Sequence, residues 1–218
     1  VKDQDEVPVD EGWDDHNTAP PKGAITIPSP MGNYPGAGFP THGARPHLDG
    51  SGTTFRVFAP DVIRVELVIY RVEGDAPTET TRVRMTPHAD GFHVTTAPGL
   101  GHGTLYRFAL DGRGPFPDPA SRSQPFGVHG PSEVVALDTL VWTDEGWRGC
   151  PSDQLVIYEL HVGTFTQAGT FRACIERLPY LRSLGVTAIE LLPIADFPGE
   201  RNWGYDGVSL YAPARCYG

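Results

Sequence analysis

The chain has 218 residues, a formal net charge of −10 and an isoelectric point near 5.1, with 39% hydrophobic and 10% aromatic residues. This balance excludes general disorder, and the net negative charge argues against nucleic acid or an anionic membrane as a partner. The sequence has no stretch of about 18 apolar residues, so it predicts no membrane-spanning helix.

The first 47 residues are acidic and rich in proline and glycine. The acidic residues crowd the start: Asp3, Asp5, Glu6, Asp10, Glu11, Asp14 and Asp15. Such a segment buries too little apolar surface to offset the loss of chain entropy, so we predict a disordered tail over residues 1–47. Because the chain begins with Val1 instead of Met, we expect it to be part of a longer protein.

From about Thr53 the sequence takes on the pattern of short β-strands. Apolar residues recur with period two, which is typical of half-buried strands: Phe55, Val57, Val65, Leu67 and Ile69. Further strands are predicted at 81–85, 92–96 and 105–110, separated by Asp-Gly and Pro-Gly turns. This spacing predicts a small antiparallel sandwich over residues 48–113, followed by an irregular connection over 114–149.

After Cys150 the pattern changes to strand, helix and strand. Residues 155–160 and 186–194 are nearly continuous apolar runs, as expected for strands buried on both faces. The stripe between them predicts an amphipathic helix: Phe171, Cys174, Ile175, Leu178, Leu181 and Leu184. We expect Pro179 to kink or split this helix near Leu178, and Gly185 to follow its C-terminus. The pattern is a parallel βαβ unit, too small to close a sheet, so residues 150–218 are predicted to be the incomplete start of a barrel.

The three cysteines, Cys150, Cys174 and Cys216, are odd in number and widely spaced. Their spacing suggests neither a disulfide framework nor a metal site. We therefore expect a cytoplasmic protein without a metal.

Three polar residues of the strand regions are open to two interpretations. Glu159 and Glu190 lie within the two apolar strands, and they form either a buried acid pair or a structural pair bonded to arginine or backbone. His161 follows the first strand at the end where barrel active sites lie, so it either lines a pocket or has a structural role.

The segment 197–211, FPGERNWGYDGVSLY, combines aromatic and polar residues directly after the second strand. The aromatic residues Trp203, Tyr205 and Tyr211 share this segment with the polar residues Arg201, Asn202 and Asp206. Aromatic rings beside hydrogen-bonding groups suit a sugar, whose C–H faces stack on rings while its hydroxyls are hydrogen-bonded. The alternative is that these rings anchor the loop to its scaffold.

Three phrases of the sequence resemble glycoside hydrolase family 13, the α-amylase clan, over residues 43–218. They are VIYELHVGTFTQAGTF, LGVTAIELLPIADFPGERNWGYDGVSLYAPARCYG and, upstream, PDPASRSQPFGVHGPSEVV. Within the family, HVGTFT and FPGERNWGYDG favour the members that release trehalose from maltooligosyltrehalose. Branching enzymes share the second-strand phrase and the WGY triplet, but usually continue with Gln-Pro where this chain has Asp206 and Gly207.

The resemblance implies an immunoglobulin-like sandwich, a (β/α)8 barrel and a C-terminal sandwich. It implies retaining hydrolysis of the α-1,4 bond next to the trehalose end, with no cofactor. The catalytic aspartate, glutamate and second aspartate follow the fourth, fifth and seventh barrel strands of the family, so this chain contains no catalytic residue. We expect it to be the N-terminal part of the enzyme, inactive by itself.

The resemblance also implies three substrate-binding residues. Tyr205 matches the family tyrosine that stacks on the glucose at the non-reducing side of the scissile bond. Trp203 is expected to line the same pocket, and Asp206 to bind sugar hydroxyls. The partner is then maltooligosyltrehalose or a related α-glucan. The alternatives are a branching or debranching enzyme of the same family, or a non-catalytic glucan-associated module.

Overall fold

A computed structural model describes residues 42–136, 143, 146, 147 and 149–218. Most of the predicted tail, residues 1–41, therefore lies outside the described residues. The first part of the chain forms nine strands: β1 (Gly43–Pro46), β2 (Gly52–Phe58), β3 (Val65–Glu73), β4 (Ala76–Arg84), β5 (Thr86–Pro87), β6 (Phe92–Pro98), β7 (Leu105–Leu110), β8 (Arg113–Phe116) and β9 (Ser132–Glu133).

These strands form two antiparallel sheets, which confirms the predicted all-β sandwich. One sheet has the order β1-β2-β6-β5, and the other has the order β4-β3-β7-β8, with β9 also paired to β7. The alternating apolar residues form one core, whose largest fully buried members include Tyr106, Phe55, Phe108 and Leu67. Burying each such side chain contributes about 1.5–3 kcal/mol, so this core is the main source of stability of the sandwich.

The sandwich extends beyond the predicted range of 48–113 at both ends. Strand β1 lies within the predicted tail and pairs with β2, with Gly43 opposite Arg56. At the other end, β8 starts at the last residue of the predicted sandwich and continues into the predicted connection, β9 lies within that connection, and both pair with β7. Proline and glycine hide the strand pattern in β1 and β8, and β9 has only two residues, so all three strands depend on their pairing partners.

A buried carboxylate ties the predicted connection to the sandwich. Asp118 accepts a hydrogen bond from the Tyr106 hydroxyl at 2.6 Å and another from the backbone N–H of Ala120 at 2.8 Å. Its own N–H donates to the Ser132 hydroxyl at 3.0 Å. Burial raises the pKa of the Asp118 carboxyl and raises that of Tyr106 well above its usual value. The segment after β8 is thus an ordered part of the sandwich.

The second part of the chain contains the predicted βαβ unit. Its elements are a 3-10 helix (Ser152–Gln154), β10 (Ile157–Leu160), α1 (Val162–Phe165), α2 (Phe171–Ser183), β11 (Ala188–Leu191), β12 (Ala195–Asp196), β13 (Ser209–Pro213) and a 3-10 helix (Arg215–Tyr217). Strands β10 and β11 are parallel and are joined through α2, while β12 and β13 are antiparallel. This arrangement confirms the predicted start of an α/β barrel.

The ends of α2 follow from its sequence. The Thr170 hydroxyl accepts the N–H of Ala173 at the N-terminus. At the C-terminus the N–H of Gly185 donates to Arg182 O and that of Val186 to Leu181 O, the hydrogen bonds of a Schellman motif. These contacts confirm Gly185 as the residue that follows the helix.

Two predictions about this part need correction. Helix α2 is not split at Pro179, since it runs unbroken from Phe171 to Ser183. The proline leaves the Ile175 carbonyl without its helical donor, and Ile175 lies on the exposed side of the helix, where water can take that place. Strands β10 and β11 are not buried on both faces, since Ile157, Tyr158 and Ile189 are exposed. Among the described residues, these two strands pair only with each other.

No described helix is both long and apolar enough to cross a membrane.

Replacing Asp118 with alanine should destabilise the sandwich by about 2–4 kcal/mol, because the buried Tyr106 hydroxyl and the partly buried N–H of Ala120 lose their acceptor. The measurement is urea unfolding of the segment 41–136, followed by circular dichroism.

The effect of this substitution should depend on pH. Burial raises the pKa of the Asp118 carboxyl in the folded state above its ordinary value of 3.8. The contribution of Asp118 to the free energy of unfolding therefore decreases as the pH rises from 3.8 through that raised pKa. The loss caused by D118A should therefore be larger at pH 4 than at pH 7.

The control is Asp61→Ala at an exposed position, for which we expect a change within about 0.5 kcal/mol. Equal losses for the two variants, or a loss for D118A that grows from pH 4 to pH 7, would contradict this account of the buried carboxylate.

Candidate functional site

The candidate site is the loop of residues 197–208, which we call the aromatic loop. It connects β12 to β13, downstream of β11. It therefore lies beyond the carboxyl end of a parallel strand, the edge at which barrel enzymes carry their functional groups. The neighbouring strand β10 ends at Leu160, so His161 emerges at the same edge.

His161 connects the end of β10 to the aromatic loop. Its Nε2 lies 3.3 Å from the Tyr217 hydroxyl and 3.5 Å from Asn202 Oδ1. The same Asn202 oxygen accepts the backbone N–H of Gly204. We call His161, Asn202 and Tyr217 the polar hub. It holds the backbone directly before Tyr205, so for His161 the structure favours a supporting role beneath the loop.

An apolar cluster lies under the polar hub. The Tyr217 ring contacts the rings of His161, Phe171 and Phe197, each with a centroid separation of 5.9 Å. Phe197 is 1% exposed, so the first residue of the aromatic loop is anchored in this cluster. Burial raises the pKa of the Tyr217 hydroxyl, which stays protonated and able to donate at neutral pH.

The structure places the three predicted substrate-binding residues on the exposed part of the aromatic loop. Trp203 is 89% exposed and Tyr205 is 74% exposed, and Asp206 is exposed beside them. Gly204, between the two rings, is buried. Within the described residues the loop is held by Phe197 and Tyr217, and neither the Trp203 ring nor the Tyr205 ring packs into the scaffold. Two exposed rings beside a carboxylate form a surface suited to a sugar.

The two strand glutamates are direct neighbours. Glu159 and Glu190 face each other in the register of β10 and β11, and both are exposed. Neither has a described ion pair with an arginine. Within the described residues, no group of three or more histidine, cysteine, aspartate or glutamate side chains is placed to hold a metal ion.

Sequence reasoning did not single out Tyr217, Asp196 or Arg215. The Asp196 carboxylate is fully buried and accepts the N–H of Arg215 through Oδ1 at 3.2 Å. Tyr217 lies 56 positions from its partner His161, and its own segment, ARCYG, carries no motif that indicates the contact. These residues are brought together only by the fold.

The comparisons with known proteins agree with this architecture. Residues 41–135 match the carbohydrate-binding module 48 family, described as the isoamylase N-terminal domain. The chain is 44% identical over 201 residues to malto-oligosyltrehalose trehalohydrolase of Deinococcus radiodurans, covering 89% of this chain and 32% of that protein. It is 45% identical over 176 residues to the enzyme of the same name from Saccharolobus solfataricus, covering 78% of this chain and 29% of that protein.

A relative with lower sequence identity is named for a different activity. A 1,4-alpha-glucan branching enzyme of Rhodospirillum rubrum is 32% identical over 190 residues, covering 77% of this chain and 24% of that protein. The chain thus spans about a third or less of the length of these three relatives.

Two solved structures show the same fold. A putative alpha amylase from Salmonella typhimurium has 43% identity and a TM-score of 0.70, over 83% of this chain and 29% of that chain. A pullulanase from Anoxybacillus sp., solved with maltotetraose, has 25% identity and a TM-score of 0.67, over 81% of this chain and 30% of that chain.

Replacing Gly204 with alanine should loosen the aromatic loop. Gly204 has φ +101°, and a Cβ there would lie 3.2 Å from His161 Cδ2 and 3.3 Å from Leu192 Cβ. We expect hydrogen exchange of residues 197–208 in the whole protein to rise about tenfold. The matched control is Gly199→Ala, which has a similar φ of +88° but meets no atom within 4 Å. If both variants change exchange equally, backbone strain alone would explain the effect, and the contact with His161 would not matter.

Proposed function

We propose that the chain is part of a member of glycoside hydrolase family 13, the α-amylase clan, and that the whole protein releases trehalose from maltooligosyltrehalose. Residues 41–135 match the carbohydrate-binding module 48 family. The bond cleaved is the α-1,4 bond next to the trehalose end. Relatives at 44% and 45% identity carry the name of this activity.

The observation that carries the proposal within this chain is the exposure of Tyr205 and Trp203 at the carboxyl edge of the parallel strands. A ring that is 74% exposed, on a backbone fixed from below by the polar hub, offers an apolar face to a ligand. Stacking on a pyranose ring uses such a face, and Asp206 beside it accepts hydrogen bonds from hydroxyl groups. The resemblance to the family tyrosine, together with this exposed ring, assigns Tyr205 in our proposal to the glucose at the non-reducing side of the scissile bond.

The contribution of this chain to the reaction is orientation of the substrate. Retaining glycosidases place two carboxylates about 5–5.5 Å apart across the scissile bond and distort the sugar towards an oxocarbenium-like transition state. In the family these carboxylates follow barrel strands four and five. The aromatic loop holds the sugar while that chemistry occurs, and a correctly held sugar removes part of the entropic barrier.

A second candidate, a branching or debranching activity on α-glucan, has one observation in its favour. The chain shares 32% identity with a branching enzyme. Its WGY triplet, at Trp203 to Tyr205, also resembles the triplet of branching enzymes. The continuation with Asp206 and Gly207 favours the first proposal.

We also place the protein in the cytoplasm. The three cysteines, all within the described residues, are free thiols, as expected in a reducing compartment. Recovery of the protein from the medium or the cell envelope in a fractionation experiment would contradict this.

The whole protein should release free trehalose from maltotriosyltrehalose, measured by chromatography of the products. Replacing Tyr205 with alanine should lower kcat/KM by about tenfold to a hundredfold, because the stacking face is lost. Tyr205→Phe should retain most of the activity, since it keeps the ring.

The matched control is Tyr180→Ala, which removes a similarly exposed tyrosine from helix α2 and should leave kcat/KM unchanged. Formation of new branch points on amylose without trehalose release would instead support the second candidate. Equal activity of Y205A and the unmodified protein would remove Tyr205 from the site.

A further inference from the structure

The aromatic loop is closed by a very short strand pair. Strand β12 has two residues, and its register with β13 shifts between Ala195 and Asp196. The N–H of Val208 donates to the carbonyl of Asp196 at 2.8 Å. A two-stranded pair of this length is marginal by itself, so the ends of the loop depend on side-chain contacts for their position.

The Asp196 carboxylate supplies such contacts together with Arg215. Oδ1 of Asp196 accepts the backbone N–H of Arg215 at 3.2 Å and lies 3.7 Å from its Nη1. The same Nη1 donates to the carbonyl of Gly199 at 3.2 Å. These two side chains therefore join strand β12, the start of the aromatic loop and the turn after β13.

The turn after β13 leads back to the polar hub. Arg215 is the first residue of the 3-10 helix that ends at Tyr217, and the Tyr217 hydroxyl meets His161 Nε2. His161 in turn contacts Asn202, which binds the N–H of Gly204. Asp196 thus acts on the loop by two routes: through Arg215 on its first residues, and through Tyr217 on the residues before Tyr205.

The burial of the charge argues for a role beyond stability. Asp196 is 0% exposed, and its Oδ2 has no hydrogen-bond partner among the described residues. The Arg215 side chain is 33% exposed, so only the Asp196 carboxylate is fully removed from water, and a cation 3.7 Å away offsets the cost of burying that carboxylate only in part. The pair instead constrains geometry. Its hydrogen bonds form only when strand β12, the start of the aromatic loop and the turn after β13 are in one particular arrangement.

We propose that Asp196 and Arg215 are positioning residues that hold the aromatic loop in the conformation presenting Tyr205 to the sugar. The part of this proposal that names a sugar as the ligand rests on the proposed function. The part that concerns the conformation of the loop is independent of that function. The alternative is that the pair only stabilises the fold as a whole.

The first measurement is hydrogen exchange of the whole protein, which needs no substrate. In Asp196→Asn and in Arg215→Gln, exchange of residues 197–208 should rise about tenfold, while helix α2 stays unchanged. The double variant should show no more than the larger single effect, because each single change already breaks the same contact.

The second measurement is the kinetics of trehalose release from maltotriosyltrehalose. We expect kcat to fall about tenfold in both single variants with a smaller change in KM, since a misplaced ring affects the distorted sugar of the transition state most. Arg215→Lys, which keeps the positive charge beside Asp196, should recover part of the loss. The control is Arg177→Gln, at an exposed position of α2, with unchanged exchange and kinetics.

Three results would overturn the proposal: unchanged exchange in the aromatic loop, increased exchange across the whole protein, or single effects that multiply in the double variant. If D196N does not fold, the R215Q variant, at a position where the arginine side chain is 33% exposed, gives the same decision from its loop exchange. If the unmodified protein releases no trehalose, the proposed function fails, and the exchange experiment still decides whether the pair positions the loop.

Discussion

The ring of Tyr217 is the contact on which the order of the candidate site depends. It packs against His161 at the end of β10, Phe171 in the first turn of α2 and Phe197 at the start of the aromatic loop. Its hydroxyl meets His161, which carries the connection on to Asn202 and the backbone of Gly204. One buried side chain therefore couples a strand end, a helix start and a loop that are well separated in the sequence. Because protein interiors are close-packed, displacing this ring would displace all three.

In each of the two parts of the chain, a buried aspartate accepts a backbone N–H from an irregular segment and so fixes the path of that segment. Irregular backbone carries N–H groups that no strand or helix pairs, and leaving them buried without an acceptor is costly. Asp118 accepts the N–H of Ala120 after β8, and Asp196 accepts the N–H of Arg215 after β13. Each carboxylate also reaches a second group, the Tyr106 hydroxyl or the Arg215 guanidinium. The result is that both irregular segments have a defined path without a long strand or helix of their own.

The sequence was sufficient to predict those features that depend on local periodicity. Strand β7 has the predicted bounds, and the strand-helix-strand order of the barrel part follows from one apolar stripe between two apolar runs. Strands β1 and β8 were missed because they contain Pro46 and Pro115 beside glycines, and because their strand character comes from pairing with β2 and β7. In the site, the exposed residues Trp203 and Tyr205 were predicted from their motif. Tyr217 and Arg215 were not, since their importance arises from contacts that no local pattern encodes.

In the aromatic loop, the residues that hold the backbone are separate from the residues that face solvent. This separation is consistent with one fold occurring in relatives that are named for different reactions. The chain shares its fold with relatives named for trehalose release and for branching, so the fold alone does not determine the reaction. In the aromatic loop, the residues that hold the backbone are Phe197, Asn202 and the buried Gly204, and they point towards the scaffold. Trp203, Tyr205 and Asp206 point to solvent and bear none of the described contacts that fix the loop. A change at these exposed positions therefore alters the surface that the loop presents without altering how the loop is held, whereas a change at Tyr217 alters how the loop is held.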